Sequence, residues 1–243
     1  MSRLTVYQDK ETWKAARLTM ITATEMASLL GLGYKNAKGY QVNTPQAIMK
    51  AKKTGVSPVM NDFNGIMQRG TILEPAIGLA MEIRLGWEMN YPGRGTWEVY
   101  TLDDDRVGAT PDCYRLEEDG GKTVVECKSV GVWSKNRETG SLELSYAKWE
   151  SFQKHPPLYY IVQVLHQLRC TKRKVGYLVG MLAIDPMPTV VFRVVLSTKL
   201  DEEMSTAART FWNCYDSDEK YVVNKDNVEY LTNLVMKSCK RIY

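Results

Sequence analysis

The sequence predicts an α/β protein, a mixed central β-sheet flanked by helices. Three observations carry that expectation. Apolar residues recur at helical spacing through the first third of the chain. Alternation at period two takes over between about 97 and 128. A helix, two further strands and two terminal helices complete the order. Helices placed before, across and after a set of strands bury their apolar faces against both sides of one sheet.

Taken in order, Asp9 can cap a short helix through Arg17 with Trp13 on its buried side. Thr22-Ala23-Thr24-Glu25 has capping-box spacing, and Gly31 and Gly33 stop the helix it opens. Thr44-Pro45 starts a third helix that ends near Gly55. A longer helix is expected over 66–85, where Ile72, Leu73, Ile77, Ala80, Met81 and Leu85 repeat at helical spacing. Pro75 inside it predicts a kink or a break into two pieces. Strands are expected at 97–100, 106–109, 112–116 and 123–128, the last two joined by a turn at Glu117-Glu118-Asp119-Gly120-Gly121. A polar stretch occupies about 135–145. The best-defined helix follows Pro156-Pro157 over 158–170, then strands at 175–184 and 189–196, then helices near 202–215 and 227–240. With no repeat and no low-complexity linker, the expectation is one domain over 1–243. Its helical part spans about 1–90, its sheet core about 95–196 and its C-terminal helices about 200–243.

Composition narrows the function. Thirty-two Lys and Arg against 28 acidic residues give a net charge of +4, which permits a nucleic-acid partner without requiring one. The cysteines (Cys113, Cys127, Cys170, Cys214, Cys239) are odd in number and scattered, and the histidines are His155 and His166 alone. That pattern speaks against a disulfide framework, a zinc finger and a zinc hydrolase, and for free thiols in a reducing compartment. The first residues hold no apolar signal core and no 18-residue apolar run follows, so a soluble cytoplasmic protein without a membrane partner is expected.

The hairpin carries the chemistry. Residues paired across an antiparallel hairpin have index sums fixed by the turn centre; a centre on Asp119 sets Asp112 opposite Glu126. Cross-strand neighbours have Cβ atoms about 4.5–5.5 Å apart, so two carboxylates would face one another, unfavourably unless a cation lies between them. Alternation puts Glu126 and Lys128 on one face, with Val125 and Cys127 on the other. Two acidic oxygens suit Mg²⁺, and the Lys128 ammonium could orient a water or neutralise charge developing at phosphorus. Gly108-Ala109-Thr110-Pro111 gives the metal-ligand position a small, conformationally restricted approach.

Each element has a plainer reading. A Glu-x-Lys pair on an exposed strand is an ordinary salt link. Arg17 can end a helix, where a cation complements the dipole; Thr22 and Thr24 can be caps. Glu74, before Pro75, can be a solvated helix residue, and Gln163 a structural hydrogen-bonding group on a buried helix. His155 and His166 read as structural, Tyr159 and Tyr160 as core aromatics. Thr171-Lys172-Arg173-Lys174 reads as a solvated helix end that could touch DNA backbone.

The ordered set resembles the lambda-exonuclease type of phage recombination nuclease, the YqaJ-like viral recombinases, within the PD-(D/E)xK nuclease fold. Pro111-Asp112 and Glu126-Cys127-Lys128 match the family core. Trp13 and Arg17 before Ile21-Thr22-Ala23-Thr24 match its opening segment. Arg69-Gly70 with Glu74, Thr110 ahead of Pro111-Asp112, and Tyr159-Tyr160-Ile161-Val162-Gln163 follow in the family's order. The resemblance spans roughly Trp13 to Met181 and implies a restriction-endonuclease-like core. It implies that Asp112, Glu126 and the Cys127 backbone carbonyl bind two Mg²⁺ ions (Mn²⁺ in their place), with Glu74 near the metals. Lys128 would assist the water and Gln163 orient the groups around it. Arg17, Thr24 and Thr110 would bind a terminal 5′-phosphate. The implied activity is a 5′→3′ double-strand DNA exonuclease that leaves 3′ overhangs for a single-strand annealing partner and works as a homotrimer. The alternatives are an endonuclease or other exonuclease on the same fold, or a catalytically silent DNA-binding module. The sequence departs from the family at Thr24 and Thr110, where serine is familiar. The Asp-to-Glu spacing is also longer, a difference the 117–122 turn absorbs.

Overall fold

The chain opens with a strand, β1 (Ser2–Tyr7), before its first helix. Asp9 then accepts from the Thr12 amide at 2.8 Å and starts α1 (Lys10–Leu18). A reciprocal box of Thr22 and Glu25 starts α2 (Ala23–Leu29), and Gly31 follows at a φ of 74°. Thr44 caps α3 (Pro45–Thr54), which ends at Gly55 in the left-handed region. The computed structural model describes residues 1–35, 39–56, 65–92, 95–131, 133–135, 141–144, 146–182, 184 and 186–243, with backbone alone at 65–69, 133–135 and 142–144.

Helix α4 (Gly65–Leu85) runs uninterrupted through Pro75, so the expected break is absent. Pro75 is exposed and forfeits one backbone bond, while Ile77 and Met81, at 0% exposure, anchor the helix on the sheet. After β2 (Glu88–Asn90) come β3 (Trp97–Leu102), β4 (Val107–Ala109), β5 (Cys113–Leu116) and β6 (Lys122–Val130). The short pair β7 (Trp133–Lys135) and β8 (Leu142–Leu144) occupies the stretch read as merely polar. Then α5 (Ala147–Lys154) and α6 (Leu158–Thr171) precede β9 (Val175–Leu182) and β10 (Thr189–Val195), and the chain closes with α7 (Thr198–Asp216), α8 (Val228–Lys237) and β11 (Cys239–Arg241). Two corrections to the expected layout follow. The N-terminal part is not wholly helical, because it contains β1 and β2, and the C-terminal part ends in a strand, β11. All three pair at a distance in sequence, and a local pattern does not reveal such partners.

The main sheet has the order β11-β10-β9-β6-β5-β2, and β1-β3-β4 forms a smaller one. Among the described residues, β6 and β9 are the one parallel pair in the main sheet, with Glu126 beside Leu178 and Lys128 beside Gly180. A parallel pair needs a crossover, here α5 and α6, which lays α6 over one face. Val124 points to that face with α2, α6, α7 and α8, whereas Val125 and Cys127 point to the other with Ile77 and Met81 of α4. This is the two-faced mixed sheet that the sequence predicts. Among the described residues no helix is long and apolar enough to cross a membrane.

One buried group ties α6 to the smaller sheet. His166 is 0% exposed, its Nε2 donates to the Gly108 carbonyl of β4 at 3.2 Å, and its Nδ1 meets no partner among the described residues. Burial pulls its pKa down from 6.5 to about 3, so the native imidazole is neutral. The unfolded chain takes up a proton near 6.5 that the native chain refuses until about 3. The stability from this site is therefore complete above 6.5 and drains away as pH falls toward 3. Urea unfolding at stepped pH should show a loss approaching 1.4 kcal/mol per unit below about 6. In His166→Gln the curve should be flatter by that amount; an unchanged slope would contradict the assignment.

Candidate active site

The β5–β6 hairpin has the register the sequence implies. Cys113 pairs with Val125 and Leu116 with Lys122, which carries Asp112, just before β5, opposite Glu126. The Asp112 Oδ2 accepts from the Cys127 amide at 2.9 Å, so the main chain of β6 holds this carboxylate. Glu126 is 0% exposed beneath α6. Its Oε1 accepts from Lys128 and from the Gln163 amide, and its Oε2 accepts from Gln167 at 2.5 Å. Lys128 also lies 5.1 Å over the Tyr160 ring.

Electrostatics bind Glu74 into the same group. Burial, then the nearby Glu126 carboxylate, raises the Asp112 pKa well above the usual range, and the same two causes, in that order, raise Glu74. Burial alone would lower Lys128, but Glu126 and Asp112 outweigh it and keep the ammonium firmly charged. Glu126 contacts the Lys128 ammonium, and Asp112 and Glu74 lie near enough to feel both charges. Among the described residues no group of three or more His, Cys, Asp or Glu side chains converges as a ready cage for a metal ion. The donor chemistry nevertheless fits a hard divalent cation: the carboxylates of Asp112, Glu126 and Glu74 act on one another here, and the softer Cys127 thiol points to the opposite face, 3.6 Å from that of Cys113. A cation there would relieve the repulsion that raises Asp112 and Glu74.

A narrow pocket adjoins this centre. Arg17, Thr22, Thr24, Thr110 and Gln163 line it, along with Gly108 and Ala109. The structure therefore brings Arg17, Thr24, Thr110 and Gln163 together, and Gln163 reaches both the pocket and Glu126. Arg17 stacks 4.8 Å over Trp13, which stacks on Trp97 at 5.3 Å and donates from Nε1 to Thr110 Oγ1 at 3.3 Å. Beneath it, Lys52 donates to the carbonyls of Arg17 (3.2 Å) and Met20 (2.6 Å) and pairs with Glu25 at 3.0 Å. Sequence reasoning missed Lys52 and Gln167. Lys52 sits among Lys50 and Lys53 and reads as solvated; its only signal is its place on the apolar side of α3, beside Ile48 and Met49. Gln167 could have been found from its spacing, four residues after Gln163 on a largely apolar helix. The side chain of Arg69, part of the expected Gly…Glu motif, lies outside the described residues.

Comparison with known proteins gives the chain a family and relates its fold to solved structures. The YqaJ-like viral recombinase domain matches residues 12–174, more than half of the chain, which therefore belongs to that family. The fold is similar to a crystal structure of an alkaline exonuclease from Laribacter hongkongensis, at a TM-score of 0.61 and 24% identity, covering 94% of this chain and 99% of that one. A structure of the same exonuclease in complex with dAMP matches at a TM-score of 0.57 and 23% identity, covering 94% and 99%. A phage-related exonuclease from Haemophilus somnus 129PT matches at 0.51 and 14%, covering 82% and 96%. No curated protein matches.

The Lys52–Glu25 pair is the support on which the pocket rests, since Lys52 is almost wholly buried and holds the chain between α1 and α2. Lys52→Met should destabilise the fold by about 3–5 kcal/mol in urea unfolding, because Glu25 keeps the Thr22 amide but loses its counter-charge and the Arg17 and Met20 carbonyls lose their donor. Lys52→Met with Glu25→Gln should recover part of that loss.

Proposed function

We propose that the chain is a divalent-metal-dependent 5′→3′ exonuclease. It degrades one strand from the ends of double-stranded DNA and leaves 3′ single-stranded overhangs for an annealing partner. The observation that carries this reading is the continuity of the two subsites: Gln163 lines the pocket of Arg17, Thr24 and Thr110 and also donates to Glu126. An end-binding pocket one side chain away from a carboxylate–lysine centre suits removal of terminal nucleotides. Membership of a viral recombinase family and a fold shared with exonucleases support the same reading.

Asp112, Glu126 and the Cys127 carbonyl would hold the metal, with Glu74 beside it; Mg²⁺ is the expected ion and Mn²⁺ a substitute. When bound, the ion supplies Lewis-acid charge at the scissile phosphate. The protein's own groups supply the rest. Arg17 and the Thr24 and Thr110 hydroxyls grip the terminal 5′-phosphate, a receptor that a guanidinium and hydroxyls form well. Lys128, kept charged by Glu126 and Asp112, orients the attacking water and offsets charge as it builds on phosphorus. Gln163 keeps the end and the carboxylate in register. The whole chain acts as one domain, in the cytoplasm of the host cell.

Self-association belongs to the same proposal. Ile72, Leu79 and Ile83 are 68%, 52% and 76% exposed. Spaced seven and four apart, they form one stripe on α4, facing away from Ile77 and Met81. A helix apolar on its outer as well as its inner side is suited to burial against another copy, and a ring of three copies is the arrangement the family resemblance implies.

Two measurements test this reading. Linear duplex DNA should release 5′-mononucleotides with Mg²⁺ and none with EDTA. Lys128→Ala should lower kcat about 10²–10³-fold. Arg17→Ala should cost about 10-fold or more on 5′-phosphate ends and much less on 5′-hydroxyl ends; cutting of closed circles would instead mark an endonuclease. Light scattering should give an oligomer for the wild type and a monomer for Leu79→Asp with Ile83→Asp; a wild-type monomer would refute the assembly.

A further inference from the structure

The metal-dependent reading above gives no task to Gln167, yet the geometry around it is unusual. Gln167 is 0% exposed and lies four residues beyond Gln163 on α6. Its Nε2 donates to Glu126 Oε2 at 2.5 Å, while Gln163 and Lys128 hold Glu126 Oε1. Two amides of one helix therefore grip the two oxygens of one carboxylate separately. Gln163 also lines the pocket of Arg17 and Thr110. Gln167 does not line that pocket, and among the described residues it is the sole hydrogen-bond donor to Oε2, the fixed arm of the clamp.

A packing role does not account for this residue. Its Oε1 is buried and has no partner among the described residues. An unmet buried carbonyl costs stability, and methionine would fill a similar volume without that cost. Turning the amide over would not help, because its carbonyl would then face a carboxylate. Gln167 thus holds a locally unfavourable polar group where its other end meets Glu126.

We propose that Gln167 is a positioning residue: by holding Oε2 it keeps the Glu126 carboxylate in one orientation for metal binding. It touches neither substrate nor ion. Its effect passes through Glu126, as outer partners of metal ligands act elsewhere. The inference rests on the metal-dependent reading and falls with it, and the test separates the two failures.

Mn²⁺ binding to the DNA-free protein is read by the loss of the free-ion signal in electron paramagnetic resonance, beside steady-state kinetics on linear duplex DNA and thermal melting. Wild type should bind Mn²⁺ and Glu126→Ala should not. Gln167→Met should melt close to wild type, bind Mn²⁺ about 10- to 100-fold more weakly and lose kcat to a similar degree, with KM for DNA within about twofold. Gln167→Asn keeps the amide but is too short to reach Oε2. It should show the same losses, and it decides the matter if Gln167→Met does not fold. If either folded variant binds Mn²⁺ and cuts DNA like wild type, the positioning role is overturned. A lowered melting point with unchanged Mn²⁺ affinity would make Gln167 merely structural and overturn it equally. Wild type that takes up no Mn²⁺, or Glu126→Ala that takes it up normally, would overturn the metal-dependent reading itself, before any Gln167 variant is compared.

Discussion

A carboxylate with no access to water sets the terms for the rest of this structure. Glu126 sits on β6, a strand with neighbours on both sides, and is covered by α6. An isolated charge in that place would cost far more than the fold could offset, so its partners are a condition of folding. Lys128, two residues along on the same face, supplies the counter-charge, and Gln163 and Gln167 supply the donors. These partners constrain α6 in turn. Its rotation must turn both glutamines to the sheet while Leu165 and Leu168, also at 0% exposure, fill the remaining core. The parallel pairing of β6 with β9 then follows naturally, because the crossover that pairing needs is the helix that Glu126 needs.

The two faces of β6 divide the work. Toward α6 the strand shows Glu126 and Lys128; toward α4 it shows Val125 and Cys127, packed with Ile77, Met81 and Val179. The dry face makes the polar face rigid. Asp112 is held by the Cys127 backbone amide, so its position is set by the strand itself and not by a mobile side chain. On β9, opposite Lys128, a Cβ added to Gly180 would lie 2.2 Å from the Phe152 ring. The absence of a side chain there lets α5 close down over this end of the sheet.

These dependencies explain which parts were legible in the sequence. The hairpin was, because its register depends only on the turn between its strands: Cys113 with Val125 and Leu116 with Lys122 have the same index sum that sets Asp112 against Glu126. Helix starts at Asp9, Thr22 and Thr44 were legible for the same reason, since a cap is a bond across three residues. Strand β1 was not. Leu4 and Val6 are about half exposed, and their partners Tyr100 and Glu98 are far along the chain. β11 is likewise a short edge strand whose partner, β10, lies across two helices. At the site, the charged triplet stood out, whereas Lys52 and Gln167 look ordinary in sequence. Each gains its meaning from a group brought to it by folding: Glu25 for the lysine, Glu126 for the glutamine.

The same separation bears on how end recognition and cleavage would be linked on the proposed reading. A terminal phosphate entering beside Arg17 adds negative charge to a neighbourhood that already holds Asp112, Glu126 and Glu74. Arg17 is itself held less comfortably charged by burial, against the pull of Glu25. The phosphate would favour the guanidinium, and its repulsion of the carboxylates would favour a cation among them. Gln163 stands between the two, donating to Glu126 from an amide that also borders the pocket. On that reading phosphate and metal would each improve the setting for the other through charge alone, without a moving part. An enzyme of the proposed kind would gain selectivity for ends from that coupling, since a duplex interior offers no terminal phosphate to complete the balance.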